Sequence, residues 1–180
     1  MRIFYRVRQF FRSWRVRLVP EDYGLLVEYL NEGEQALFFR MAPADQRHCL
    51  DTAKSALGQE AAKSLDSEEF RLLLRSCLLH DVGKAAGDLG VWSRSIITML
   101  LACSEGLVRR LAAYGANQQA GSFLWACYVH FQHPARGARW LADVGAEREL
   151  LELVLYHHED CYPGNNPLLL DILRRCDEMN

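Results

Sequence analysis

The chain predicts an all-α domain, and three observations carry that prediction. Apolar residues recur three and four apart through nearly every segment, and no stretch shows the strict alternation of a half-buried strand. Most of those segments open on helix-start chemistry, a Pro or Ser at the first turn or an Asp-x-x-Glu pair. The breaks between them are short and hold Gly, Asn and Pro. With 180 residues, half of them hydrophobic and 24% charged, the chain has the length and balance of one soluble globular domain with a real core.

Each element has its own reason. Ile3, Val7, Phe10, Phe11, Trp14 and Leu18 form one face of a first amphipathic helix, residues 1–19, ahead of a helical body at 20–180. Pro20-Glu21-Asp22 suits a helix start, because Pro lacks the amide that a first turn cannot use and acids favour that end. Two short helices, Glu21 to Leu30 and Glu32 to Met41, part near Asn31-Glu32-Gly33. Pro43-Ala44-Asp45 opens the next, which carries His48 and stops near Gly58. Asp66-x-x-Glu69 resembles a capping box for a helix ending at His80-Asp81, with Gly83 placed to terminate it. Helices follow at Ser93 to Ser104, Leu107 to Tyr114 and Ser122 to Phe131. His133-Pro134 reads as a new helix start, with Gly145 after its last turn. One more helix covers Glu147 to His158, and Pro163-Gly164-Asn165-Asn166-Pro167 leads into a final helix through Glu178.

Composition narrows the function classes. No apolar run approaches a membrane span, and Arg residues interrupt every apolar stretch near the N-terminus, unlike a secretory signal. The cytoplasm is the expected compartment. None of the six cysteines forms a Cys-x-x-Cys pair, and Cys49, Cys77, Cys127 and Cys176 fall inside apolar helical patterns, as reduced core residues do. Residues 1–17 hold six Arg and no acid, which leaves 15 bases against 23 acids in the rest. An acidic body is a poor nucleic-acid surface. The Arg-rich segment itself suits an interfacial membrane helix or a nucleic-acid patch. The preferred reading is a helix that packs its aromatic face on the domain and shows its Arg side chains to water.

The chemistry concentrates in Leu78-Leu79-His80-Asp81-Val82-Gly83-Lys84. The stripe Phe70, Leu73, Leu74, Cys77, Leu78 puts position 81 on its own buried face, where an ionised carboxylate is costly unless its charge is offset. A metal ion would do that. Other candidate ligands stand in order along the chain: His48, then His133, His157, His158 and Asp177. Asp177 likewise extends an apolar stripe, Leu169, Ile172, Leu173, Cys176. Imidazole with carboxylate suits Fe, Mn, Zn or similar ions, and one carboxylate can span the roughly 3.5–4 Å between ions of a two-metal hydrolytic site. Lys84 could reach a substrate phosphate, or simply sit favourably on a helix end.

On His48, His80-Asp81 and Asp177 the chain resembles the HD superfamily of metal-dependent phosphohydrolases, over roughly Asp45 to Glu178. His133-Pro134 and Tyr156-His157-His158-Glu159 resemble the extra histidines of its two-metal branch. The resemblance implies a compact helical bundle in which His48, His80, Asp81 and Asp177 bind one ion. Asp81 would bridge to a second ion held by His133 and His157, the latter favoured over His158. It implies a catalytic site with Asp81 and Lys84 acting on a small phosphorylated substrate, an ester or diester of a nucleotide or cyclic nucleotide. The chain departs from HD-GYP phosphodiesterases, because Glu159 is followed by Asp160-Cys161-Tyr162-Pro163-Gly164, a shorter spacer with Cys in place of the motif glycine. Two alternatives stand beside the two-metal reading: a non-catalytic nucleotide-sensing or regulatory module, and a one-metal nucleotidase.

Overall fold

The computed structural model describes residues 18–180. The described chain is all-α: nine helices and one 3₁₀ turn, with no strand among the described residues. The expected N-terminal helix, and with it the membrane and nucleic-acid readings of residues 1–17, lies outside them. In chain order the helices are α1 (Pro20–Tyr29), α2 (Glu32–Arg40), α3 (Pro43–Leu57), α4 (Ser67–Leu79), α5 (Val91–Cys103), α6 (Glu105–Gly115), α7 (Phe123–Asp143), α8 (Arg148–Tyr156) and α9 (Pro167–Met179). None of them is long and apolar enough to cross a membrane.

Local chemistry sets most of these starts. Pro20, Pro43 and Pro167 each occupy a first-turn position. Asp66 Oδ1 accepts from the Glu68 and Glu69 amides at 2.9 Å, and Glu69 Oε2 accepts from the Asp66 amide at 3.1 Å, the reciprocal box expected there. Asn31 and Glu34 make a second such box ahead of α2. Ser104 and Ser122 cap α6 and α7 through their hydroxyls.

Two apolar clusters hold the helices together. The larger joins Leu26 of α1, Phe38 of α2, Leu50 of α3, Leu74 and Leu78 of α4, Leu153 of α8 and Leu173 of α9. The smaller joins Ile97 of α5 and Val108 of α6 to Ala126, Cys127 and Val129 of α7. Each fully buried Leu contributes about 1.5–3 kcal/mol. The stripe Leu169, Leu170, Ile172, Leu173, Cys176 therefore fixes α9, and Asp177 is carried into place on its end. Buried ion pairs add direction. Asp22 of α1 meets Arg47 at 2.8 Å and Lys54 at 2.5 Å on α3, and Arg75 of α4 links Glu34 of α2 to Glu147 ahead of α8.

Two expectations fail, one at Pro134 and one at Gly83. Ser122 to Phe131 and the segment from Pro134 are a single 21-residue helix, α7, with Pro134 inside it. A proline in a helix interior costs roughly 3 kcal/mol, because it removes one hydrogen bond and crowds the preceding turn. Packing outweighs that cost here. The first half of α7 supplies the smaller cluster and the second half gives Leu141 to the larger one, so continuity serves both. Gly145, with φ of 78°, ends the helix as expected. Gly83 has no left-handed backbone, so it does not act as a helix-capping glycine. Its absent side chain instead admits the α7 backbone at His133 and Gly137. The turn after the dyad thus lies directly on α7.

Candidate metal centre

Three helix ends and two helix middles converge on a single spot. His48 comes from the middle of α3, His80 and Asp81 from the end of α4, and His133 from the centre of α7. His157 and His158 follow α8, and Asp177 sits in the last turn of α9. All seven candidate ligands are brought together. His48, His80 and Asp81 form one group whose ligand atoms lie within 4.8 Å of one another, and His133, His157 and His158 form a second. Asp177 Oδ1 adjoins the first group, 2.8 Å from His48 Nε2 and 3.5 Å from His80 Nε2.

Asp81 stands between the two groups. One of its oxygens, Oδ2, lies 3.8 Å from His80 Nε2, and the other, Oδ1, lies 3.2 Å from His133 Nε2. The side chain is buried, as the apolar stripe predicts. Lys84 Nζ donates to Oδ2 at 2.7 Å. Oδ1 accepts no hydrogen bond, although Lys84 Nζ is also 2.7 Å from it, off the angle a bond requires. The Lys84 ammonium offsets the charge on Oδ1 but leaves its lone pairs without an aligned donor, which is uncommon for a buried carboxylate oxygen.

The imidazoles are oriented from behind. His80 Nδ1 donates to the Cys77 carbonyl at 2.9 Å, His133 Nδ1 to the His130 carbonyl at 2.7 Å, and His157 Nδ1 to the Val154 carbonyl at 2.7 Å. A carbonyl oxygen can only accept, so Nδ1 carries the proton in each ring. In the neutral rings Nε2 is then a bare lone pair. His133 Nε2 and His157 Nε2 nevertheless face each other at 3.4 Å. In the first group His48 Nε2 donates to Asp177 Oδ1 at 2.8 Å and lies 3.3 Å from His80 Nε2. Lone pairs and carboxylates gathered so closely repel one another unless a positive charge lies among them. These donors also fit a transition metal, which takes neutral imidazole and ionised carboxylate.

Protonation follows the same pattern. Burial, reinforced by the nearby Lys84 ammonium, lowers the His133 pKa to about 3. Burial and the charges of neighbouring histidines hold His157 well below its usual range, and burial with Lys84 lowers His158. Burial alone would raise Asp81, but Lys84, His80 and His133 hold it well below the ordinary carboxylate value. Asp177 is likewise depressed, its burial outweighed by hydrogen bonds from His48 and His80. His80 departs from this pattern: burial alone would lower it, but Cys49, Asp81 and Asp177 more than offset that and raise it well above the usual imidazole value. At neutral pH the second group is uncharged and the carboxylates are ionised, the states that bind metal.

The centre is closed at His80, Asp81, His133 and His157 and opens at His48, Asp177 and His158. His157 and His158 share the second group; His157 is the buried one, with its ring centroid 5.3 Å from both His80 and His133. Lys84 stays charged, since the adjoining Asp81 and Asp45 carboxylates more than offset its burial.

Three features of the centre are absent from any sequence pattern. The Arg174 guanidinium of α9 donates to the Tyr156 carbonyl at 2.8 Å, to the His157 carbonyl at 3.0 Å, and to the Glu159 carbonyl. It thereby clamps the corner that bears His157 and His158. Arg94 of α5 makes a two-pronged pair with buried Asp45 of α3, both contacts at 2.5 Å, beside Lys84. Cys49 Sγ lies 3.9 Å from His80 Nδ1, a buried thiol behind the ring. Asp45, an acid in a helix first turn, carried a local signal for a helix start, and Cys49 one for a core position; neither pointed to the centre. Cys49, Cys77, Cys127 and Cys176 are buried free thiols, as their apolar patterns predict. No protein-family model matches the chain, and neither does any curated protein or solved structure.

Proposed function

We propose that this chain is a metal-dependent phosphohydrolase of the HD type, holding two divalent transition ions and cleaving a phosphate ester or diester of a nucleotide or cyclic nucleotide. One observation carries the reading: unprotonated Nε2 atoms face each other at 3.4 Å beside a buried carboxylate oxygen that accepts no hydrogen bond. Such an arrangement is stable when a cation sits among the donors.

His48, His80, Asp81 and Asp177 would hold one ion. His133 and His157 would hold the other, with His158 beside them and Asp81 shared. Ions bound there would supply Lewis acidity, binding phosphate oxygens and lowering the pKa of a trapped water. The protein's own part is orientation and charge. The carbonyls of Cys77, His130 and Val154 fix three rings with Nε2 inward before any ligand arrives. Lys84, held cationic by Asp81 and Asp45, offsets phosphate charge at the edge of the centre. The opening at His48, Asp177 and His158 admits the substrate.

The test is reconstitution of the full chain with manganese, followed by elemental analysis and assay on bis(4-nitrophenyl) phosphate. Two ions per chain with release of nitrophenol is the expected result. A protein that takes up no metal and leaves the diester intact would overturn the proposal.

A further inference from the structure

The proline inside α7 falls next to a candidate ligand, and the hydrogen bonds explain why. In a helix the carbonyl of residue 130 accepts from the amide of residue 134. Pro134 has no amide hydrogen, so the His130 carbonyl is left without its backbone partner. His133 Nδ1 takes that place at 2.7 Å.

The other two inward rings use the same device at true helix ends. His80 and His157 are the residues just past α4 and α8, and their Nδ1 atoms donate to the carbonyls three residues back, Cys77 and Val154. Those carbonyls are free because the helical ladder has stopped. His133 sits in the middle of a 21-residue helix, where no carbonyl is free by default. A break in the helix would free one, but α7 must run on to join both apolar clusters and to present Gly137 to Gly83. Removing a single amide hydrogen frees the carbonyl and leaves the helix continuous.

We infer that Pro134 is a positioning residue: it vacates the His130 carbonyl so that the His133 ring is locked with Nε2 facing the second cation position. This rests on the two-ion reading above for what the locked ring serves, while the lock itself is a property of the metal-free protein. The residue acts through His133 and touches no substrate.

Pro134→Ala tests it, because alanine restores the amide hydrogen and suits a helix interior better than proline. Two readouts separate the inference from the proposal it rests on. Nitrogen-15 NMR of the metal-free protein at neutral pH reports which ring nitrogen of His133 is protonated. The parent is expected to show Nδ1–H alone, and the variant a mixture of Nδ1–H and Nε2–H, with equal or higher melting temperature. Manganese titration of both proteins is expected to weaken the second ion by about tenfold or more in the variant, the usual cost of losing a partner that orients a ligand, with the first ion unchanged. An unaltered tautomer in Pro134→Ala overturns the lock. A changed tautomer with both ions bound as in the parent overturns its service to the second ion. A parent that binds no manganese overturns the metal reading, and with it the purpose assigned to Pro134, whatever the NMR result.

Discussion

Gly83 and His133 touch backbone to backbone: a Cβ on Gly83 would stand 2.0 Å from the His133 carbonyl oxygen and 2.8 Å from the Gly137 amide nitrogen. That contact holds the turn carrying Asp81 against the helix carrying His133. It sets the 3.2 Å separation between Asp81 Oδ1 and His133 Nε2. Gly83→Ala must push the two backbones apart. It should lower stability in urea by about 3 kcal/mol or more, at the upper end of overpacking, and weaken the second ion. Gly137→Ala meets only 3.2–3.3 Å contacts, and the gain in helix propensity of up to about 1 kcal/mol offsets them. Equal urea midpoints for the two variants would remove the close approach as a determinant.

Asp81→Ala removes the one carboxylate that reaches both groups. Losing an outlying partner of a ligand costs about 10–100-fold in affinity, so losing this carboxylate should cost at least about 100-fold. Metal content and diester turnover should fall together, while circular dichroism keeps its helical form because the flanking apolar stripe is untouched. Normal turnover with both ions retained would rule Asp81 out of the centre.

Arg174→Ala removes the donor shared by three carbonyls at the α8 corner, of which Tyr156 keeps the Glu159 amide at 3.0 Å. Hydrogen bonds to a charged group contribute about 1.5–3 kcal/mol each in favourable cases. The guanidinium is partly exposed and water replaces some of that, so a loss of about 2 kcal/mol in urea is expected. Manganese affinity at His157 should fall as well. Arg174→Lys should rescue only part, because an ammonium cannot reproduce the planar fork. A variant that melts earlier but binds both ions normally would reduce Arg174 to a structural clamp.

Asp22 gives the fold an acid limit outside the centre. Its carboxyl is buried, which alone would raise the pKa, but the Lys54 hydrogen bond, the Val19 amide and the Arg47 charge lower it from 3.8. A depressed carboxylate stabilises the fold fully above its unfolded value, and that contribution is lost as pH falls through the folded one. Asp22→Asn should cost about 1–3 kcal/mol at neutral pH, since it weakens two charged hydrogen bonds while Arg47 keeps Asp51 at 2.8 Å and Lys54 stays 40% exposed to water. It should also flatten the decline of stability below about pH 4. Parallel acid profiles for parent and variant would show that Asp22 does not titrate with folding.

Much of this was legible because it is local. The Asp66–Glu69 box, the first-turn prolines and the apolar stripes are interactions within one or two turns, so residue order alone specifies them. Asp81 and Asp177 stood out because each extends an apolar stripe, although Asp177 keeps about a fifth of its surface exposed. Pro134 misled for the same reason that the stripes succeeded: the local rule for proline is to start a helix, and it cannot register two cores that reward continuity.

By itself, then, the amino-acid order determined an all-α chain, where nearly every helix begins and ends, and which side chains are chemically equipped to hold a cation. Tertiary structure alone decided that His48 and Asp177, 129 residues apart, meet at 2.8 Å. It also decided that α7 runs through its proline, that Arg174 closes on the α8 corner, and that a glycine after the dyad serves contact rather than termination. The division has a physical cause. Periodicity and capping act over a few residues, whereas ring orientation and backbone approach depend on which distant surfaces the folded chain presses together.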